Sequence, residues 1–214
     1  TPSEGTAASP LRSLETGELQ KGPPLADILE STEGRLAILT QDSPDPDSIA
    51  SATALQAIAA EFGVEADIRY EGDIGHQENR AFVNLLGIEL LASDDEPSVE
   101  EYDRVALVDN VQSGSDDPTF EIDILIDHAE PDEEVDAPFV DVRTNLSSTS
   151  TILTKYLQEF DLGPGETVAT ALLYGIRAET LDFKRDTTPA DLTAAAYLHP
   201  FANHDTLEQV ESPS

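Results

Sequence analysis

The stretch that decides the fold is RLAILTQDSPDPDSIASATALQAIAAEFG, residues 35–63. It opens on a short uninterrupted apolar run, RLAILT (35–40), of the kind that makes a strand covered on both faces of a parallel sheet. A polar turn follows, with Asp42, Asp45 and Asp47 inside six positions. Then Ile49, Ala52, Leu55, Ile58, Ala59 and Phe62 recur at helical spacing until Gly63, which ends the helix. A strand that runs through an acidic turn into a helix is half of a βαβ crossover. In open parallel sheets, the turn beyond a strand's carboxyl end is where ligands bind.

The same alternation recurs downstream. ADIRY (66–70) reads as a strand and HQENRAFVNLLG (76–87) as a helix closed by Gly87. RVALVDN (104–110), IDILIDHA (122–129) and PFVDVR (138–143) are further strands. Helices follow over SSTSTILTKYLQEF (147–160), ETVATALLYGIRAETL (166–181) and PADLTAAAYL (189–198). In the last, Thr188 supplies the N-cap, Pro189 the first turn and Asp191 an acid three residues on. The pattern predicts an α/β fold with a mainly parallel sheet flanked by helices on both faces. Residues 1–24 lack apolar periodicity and read as a linker or flexible N-terminal segment, with a short helix over ADILES (26–31). Residues 25–200 read as one domain, and 201–214 as a C-terminal tail or a linker to a further domain.

The 214 residues carry 44 Asp and Glu against 11 Lys and Arg, a formal charge of −33. Lys21, Lys155 and Lys184 are the only lysines. Such a chain repels itself in dilute buffer. In molar salt the screening length falls to roughly 3 Å and the repulsion fades. The expectation is a halophilic protein of a salt-filled cytoplasm. Without clusters of Lys and Arg, a plain duplex-DNA surface is excluded. There is no Cys, so neither a disulfide framework nor a thiolate metal site is available. No run of 18 apolar residues suits a membrane span, and the start TPSEGTAASP reads as neither signal peptide nor membrane anchor. A start without Met suggests a piece of a longer protein.

With about one residue in five acidic, acidity alone carries no message and position must. Gln41, Asp42, Asp45 and Asp47 follow RLAILT, Asp109 follows VALV, and Asp127 and His128 end DILIDH. Separate strands thus deliver acids and one histidine to the same edge of one sheet. Singly, each has an ordinary reading: Asp45 or Asp47 as a helix cap, Asp109 in a turn, His128 half-buried. Jointly they form a candidate cation site. Oxygen ligands with one imidazole suit Mn²⁺ or Mg²⁺ more than a structural zinc, and converging carboxylates cannot all stay ionised without cations between them.

In these residues the chain resembles the DHH phosphoesterase superfamily, over residues 35 to about 200. The likeness is to DHH domains of haloarchaeal-type exopolyphosphatase-related and oligoribonuclease-like members. The family's first motif, His-x-x-x-Asp-x-Asp, is matched by Gln41-Asp42-Ser43-Pro44-Asp45-Pro46-Asp47. Its strand-end Asp is Asp109, and its Asp-His-His is Asp127-His128-Ala129. Its fourth region, a Thr-rich helix start and Gly-Ile-x-x-Asp-Thr-x-x-Phe, is matched by SSTSTI and GIRAETLDF. The resemblance implies two Mn²⁺ or Mg²⁺ ions: Asp45 on the first, Asp47 on the second, Asp109 bridging, with His128 and Glu179 completing the second. It implies hydrolysis by a hydroxide held between the metals, with Asp45, Asp47, Asp109 and His128 as the catalytic set. Three departures stand out: Gln41 replaces a histidine, Ala129 replaces the second motif-three histidine, and Glu179 replaces an aspartate. The first metal site is therefore expected to be impaired, with Asp42 placed to compensate there and Asp182 an alternative to Glu179.

His76, Asn79 and Arg80 stand at a helix start, where backbone N–H groups favour anions. A similar segment occurs in family members acting on short oligonucleotides and cyclic dinucleotides. These residues and Arg143 are the candidate phosphate contacts, the other reading of 76–80 being a plain amphipathic helix. TLDFKRDTT is similar to the superfamily's pyrophosphatases, so Lys184 and Arg185 face polyanion or solvent. The implied substrate is a small phosphorylated nucleotide such as a nanoRNA, a cyclic dinucleotide or a 3′,5′-bisphosphate. The alternatives are a pyrophosphate or exopolyphosphatase-like hydrolase, and a catalytically weakened nucleotide- or metal-binding sensor. Expected partners are that nucleotide or polyphosphate, a second copy in a homodimer, and flanking domains. Those domains include the family's second C-terminal domain, absent from these residues, and fused potassium-uptake-type nucleotide-binding domains.

Overall fold

The computed structural model describes residues 21–110 and 120–212. Its centre is a six-stranded sheet with order β3-β2-β1-β4-β5-β6. The strands are β1 (Leu36–Leu39), β2 (Ala66–Tyr70), β3 (Leu90–Ala92), β4 (Arg104–Val108), β5 (Ile124–Asp127) and β6 (Phe139–Val142). Every neighbouring pair is parallel, with Ile38 registered between Ile68 and Ala106 at the centre. The expected α/β class with a parallel sheet is the one observed.

Seven α-helices are present among the described residues: α1 (Gly22–Glu30), α2 (Pro46–Glu61), α3 (Gln77–Leu86), α4 (Thr149–Glu159), α5 (Glu166–Glu179), α6 (Pro189–Leu198) and α7 (His204–Glu211). The main core holds Leu36, Ile38, Ala106, Val108, Ile124 and Ile126 from the sheet together with residues of all seven helices. Ala37 and Val105, alternating with those strand residues, join Tyr102 in a smaller second cluster, where Val99 and Phe120 pack.

α2 is the central helix. Asp45 caps it by accepting from Ser48 N at 2.9 Å, and Pro46 occupies its first turn. Its residues from Asp47 to Leu55 are all buried, because Ala50, Ala52 and Ala54 let elements close in on every side. Gly175 of α5 lies against it: a Cβ there would meet Ala50 Cβ at 3.1 Å and Asp47 Cα at 3.3 Å. The helices pack this closely only because that position carries no side chain.

The order of the strands places the site. From β1 the chain winds outward through β2 and β3, then returns to pair β4 with β1 and winds the other way. The switch point is therefore the crevice between the carboxyl ends of β1 and β4. The first acidic turn leaves β1 there, and Asp109 leaves β4.

Three boundaries differ from the sequence reading. α1 begins at Gly22, inside the segment read as a linker, and covers more than ADILES, with Leu25 and Leu29 fully buried. β3 was not expected: its three residues are all half-buried and too few to show a period. The stretch from 201 on is not simply a tail. Asn203 caps α7 by accepting from Thr206 N at 3.0 Å, and Leu207 and Val210 are buried in the core. The expected linker over 1–20 and the last residues of the tail lie outside the described residues. Among the described residues, no helix is long and apolar enough to cross a membrane.

Candidate metal centre

Asp47 is fully buried in the first turn of α2, and the N-terminus of α4 meets it. Its Oδ1 accepts from Ser150 N at 2.8 Å and Ser150 Oγ at 2.5 Å, and its Oδ2 accepts from Thr149 N at 3.0 Å. Orphan N–H groups at a helix start and the dipole behind them favour a carboxylate. Burial, with Asp109 and Glu179 alongside, nevertheless pushes the Asp47 carboxyl well above its usual range.

Asp109 follows β4 with φ 53°, in the left-handed region that a β-branched residue would avoid. Its N donates to Ile126 O at 3.0 Å, which holds that backbone in place. Its Oδ2 accepts from Ser48 Oγ at 2.6 Å and its Oδ1 from Thr149 Oγ1 at 3.1 Å. His128 follows β5, with Nε2 3.4 Å from Asp109 Oδ1 and 3.7 Å from Asp47 Oδ2. Burial alone would lower its pKa, but the hydrogen bond to Asp109 and the charges of Asp47 and Asp109 outweigh it and raise it to about 9. Without a metal, the imidazolium acts as the counter-ion of the acids. Asp127 is buried and accepts from Asn110 N at 3.0 Å and Ala129 N at 2.9 Å, so it shapes the turn that presents His128.

Glu179 ends α5 at the same place. Its carboxyl is hydrogen-bonded to Asp45, and burial, then the charges of Asp45 and Asp109, raise its pKa to about 7. Gln41, Asp45, Asp109, Asp127, His128, Ala129 and Glu179 line a cavity of about 150 Å³. Two overlapping groups have ligand atoms mutually within 4.8 Å and are able to hold a metal: Asp47, His128 and Glu179, and Asp109, Asp127 and His128. The structure thus brings Gln41, Asp45, Asp47, Asp109, His128 and Glu179 together from four separate segments.

Other candidates lie elsewhere. After α5 the chain turns through Leu181, Asp182 and Phe183, all at positive φ, pinned by Asp182 N to Arg177 O at 2.7 Å. Asp182 consequently pairs with Arg177 at 2.9 Å and lines a second cavity with Phe183, His199 and His204. It does not line the first cavity, and neither does exposed Asp42. Arg143 forks onto Asp141, with Nε–Oδ1 and Nη2–Oδ2 both at 3.0 Å, while Tyr156 OH donates to the same carboxylate. His76 caps α3 without a side-chain bond, Asn79 is buried and Arg80 is exposed; none of them lines the first cavity. Lys184 and Arg185 are exposed, the latter paired with Asp186 at 3.1 Å.

Sequence reasoning gave no role to Ser48, Thr149, Ser150 or Asn110. Asn110 donates through Nδ2 to Thr40 O at 2.7 Å and Leu39 O at 3.3 Å, and its N bonds Asp127, so it ties the ends of β1, β4 and β5 together. The signal available was the Thr-rich helix start and the residue after Asp109.

A doubly wound parallel sheet with carboxylates and one imidazole at its switch point defines the class: an α/β domain with a candidate divalent-cation pocket. More narrowly, the chain belongs to the DHH family, whose N-terminal domain matches residues 35–176. It is 43% identical over 187 residues to the uncharacterised protein MJ1633 of Methanocaldococcus jannaschii, covering 86% of this chain and 38% of that protein. In fold it is similar to an exopolyphosphatase-related protein of Bacteroides fragilis, with TM-score 0.68, 14% identity, and coverage of 91% of this chain and 61% of that one. A protein provisionally named a family II inorganic pyrophosphatase of Methanococcus jannaschii gives TM-score 0.57 and 20% identity over 83% of this chain and 62% of that one. The exonuclease RecJ bound to manganese gives TM-score 0.52 and 15% identity over 84% of this chain and 47% of that one. The chain therefore spans less than two thirds of each of these relatives.

Proposed function

We propose that this domain is a divalent-metal-dependent phosphoesterase that hydrolyses small phosphorylated nucleotides, with Mn²⁺ as its cation. The observation that carries the reading is the convergence of Asp47, Asp109, His128 and Glu179 at the switch point, beside a cavity lined by Gln41, four acids, His128 and Ala129. The donor set fits a hard divalent cation: carboxylate oxygens with one imidazole. A cation held there supplies Lewis acidity toward a phosphoryl oxygen. The RecJ relative, bound to manganese, supports the choice of ion.

The chain's own residues do the rest. Ser150, Thr149 and Ser48 hold the carboxylates of Asp47 and Asp109 in place before any ligand arrives. His128 gives up its proton to become a ligand. Asp45, which lines the same cavity, is placed to take a proton from an attacking water. Among the described residues no hydroxyl or thiol side chain lines the cavity, which supports water as the nucleophile. The formal charge of −33 supports a salt-rich cytoplasm as the setting. His76, Asn79, Arg80 and Arg143 stay proposed for substrate phosphate, Arg143 only after exchange of its Asp141 partner.

The test is hydrolysis of dinucleotides, cyclic dinucleotides, 3′,5′-bisphosphonucleosides and pyrophosphate in molar KCl with Mn²⁺, beside Asp109→Ala. Turnover that requires Mn²⁺ and vanishes in the variant is the expected result. Pyrophosphate as the sole substrate would favour the phosphoanhydride alternative. Absent turnover, or turnover untouched by the substitution, would remove the catalytic reading. Gln41 and Ala129 then favour the second one, a nucleotide- or metal-binding sensor.

A further inference from the structure

We infer that this chain holds a single divalent cation where the resemblance to its family implies two. The inference rests on the metal-dependent reading above and concerns how many ions that site takes. First, the two ligand groups share His128, and the same Nε2 faces both Asp109 Oδ1 at 3.4 Å and Asp47 Oδ2 at 3.7 Å. One Nε2 lone pair serves one ion, so only one of the two groups can be filled with its imidazole.

Second, the oxygens that a pair of ions would need are engaged by protein donors. Asp47 Oδ1 takes Ser150 N and Oγ, and its Oδ2 takes Thr149 N. Asp109 Oδ2 takes Ser48 Oγ at 2.6 Å and its Oδ1 takes Thr149 Oγ1 at 3.1 Å, so a carboxylate expected to bridge ions already serves a protein donor at each oxygen. Asp45 Oδ1 caps α2 through Ser48 N, and the same carboxyl is hydrogen-bonded to Glu179. Both oxygens of Asp127 are held by Asn110 N and Ala129 N.

Third, among the described residues His128 is the only imidazole that lines the cavity, while Gln41 presents a neutral amide and Ala129 a methyl group. The amide is a poorer ligand than a carboxylate or an imidazole, and it is a hydrogen-bond donor as well as an acceptor. With the cation held by the acids and His128, Gln41 is left to a phosphoryl oxygen of the substrate.

Mn²⁺ binding to the metal-stripped chain decides the count, measured in molar KCl by calorimetry and by electron paramagnetic resonance of free and bound Mn²⁺. The acidic surface binds ions diffusely, so the tight equivalent is defined as that lost in Asp109→Asn with His128→Ala. One tight equivalent, without the spin coupling of a paired centre, is expected. Gln41→Ala should keep that equivalent with affinity unchanged within about twofold, and Gln41→His should add a second. Thermal melts confirm that each variant is folded. Two tight equivalents in the unsubstituted chain would overturn the single-cation centre and leave the phosphoesterase reading standing. No tight equivalent would overturn both. Loss of the equivalent in folded Gln41→Ala would make Gln41 a ligand and overturn the assignment of the cation to the acids and His128 alone.

Discussion

Asp47 shows how much of this site is set by side chains that do not line the cavity. Ser150 Oγ donates to Asp47 Oδ1 at 2.5 Å, and the Cβ of an alanine at Gly175 would lie 2.4 Å from Ser150 Oγ. Ser150→Ala should weaken Mn²⁺ binding by about 10-fold, as removal of a ligand's supporting bond commonly does, while the melting temperature changes little. Gly175→Ala should do both, costing ~1–3 kcal/mol of stability by overpacking; parallel melts and Mn²⁺ titrations distinguish the two. Neither effect was legible in the sequence. SSTSTI was visible as a helix start, but its partner Asp47 lies 102 positions away from Thr149, and nothing local announces the pairing. The strand-end acids were legible because hydrophobic runs locate strand ends, and the parallel sheet brings those ends to one edge. Protons follow the same geometry. Glu179, raised from 4.5 to about 7, and His128, raised from 6.5 to about 9, both bind protons more tightly in the folded metal-free protein than in the unfolded chain. Stability they contribute is present at low pH and is lost as pH rises, through Glu179 between pH 4.5 and about 7 and through His128 between pH 6.5 and about 9. Metal-free protein should therefore melt at a lower temperature at pH 9 than at pH 6 in molar KCl. Saturating Mn²⁺ should flatten or reverse that trend, because it replaces the protons. A melting temperature that rises with pH without metal would contradict the charge arrangement described.

At the scale of elements, β2 and β3 depend on one buried cation. Arg69 of β2 is 1% exposed and donates through Nη2 to Asp95 O at 2.7 Å and Ser93 O at 3.0 Å, and through Nη1 to Pro97 O and Tyr102 OH. Tyr102 passes the link on to Asp67 at 2.7 Å, and Asp67 pairs with Arg35 at 2.5 Å. The guanidinium thus organises the loop after β3 from the strand beside it. The sequence showed ADIRY as a strand but could not show that its arginine points inward, because a charged residue in a strand is ordinarily read as facing solvent. The same guanidinium reaches Ala92 O, the last carbonyl of β3, at 3.4 Å, a support from the neighbouring strand that no local pattern reveals. Arg69→Met should leave those carbonyls unpaired, at a cost of ~1–3 kcal/mol for each group left buried. Hydrogen exchange of residues 90–97 should accelerate well before that of β1 or β4; uniform acceleration would mean the arginine serves the whole fold instead. α7 is the counterpart at the C-terminal end. Its short amphipathic repeat was masked by the polar residues around it, yet Leu207 and Val210 complete the core. Leu207→Ala should destabilise by ~2–5 kcal/mol, the range for a buried leucine, measurable by denaturant titration in molar KCl.

The whole molecule is governed by its charge. A formal −33 from 44 acids and 11 bases means that most carboxylates have no cationic partner, and several of the bases are committed to fixed local pairs, as in Arg104–Asp123 and Arg143–Asp141. Self-repulsion of the remainder opposes the compact state. At 0.1 M salt the screening length is about 10 Å, comparable with the spacing of such a charge density, and at 1 M it is about 3 Å. If screening is the main effect, most of the stabilisation should arrive between those two concentrations and then level off. A gain of about 10 °C in melting temperature corresponds to a few kcal/mol at ~2–4 °C per kcal/mol for a chain of this size. NaCl and KCl should then act alike, since screening depends on ionic strength alone. A stability that keeps climbing linearly to 3–4 M salt, with a marked preference for sulfate over chloride, would instead indicate solute exclusion from the surface, to which buried apolar area responds. The candidate centre supplies an internal control. Its carboxylates are buried beside His128, and buried charges are screened far less than exposed ones. Mn²⁺ affinity should fall only modestly from 0.1 to 1 M KCl once the protein is folded, while the melting temperature rises steeply. An affinity that falls in step with the diffuse surface binding would place the cation on the acidic surface rather than at the switch point of the sheet.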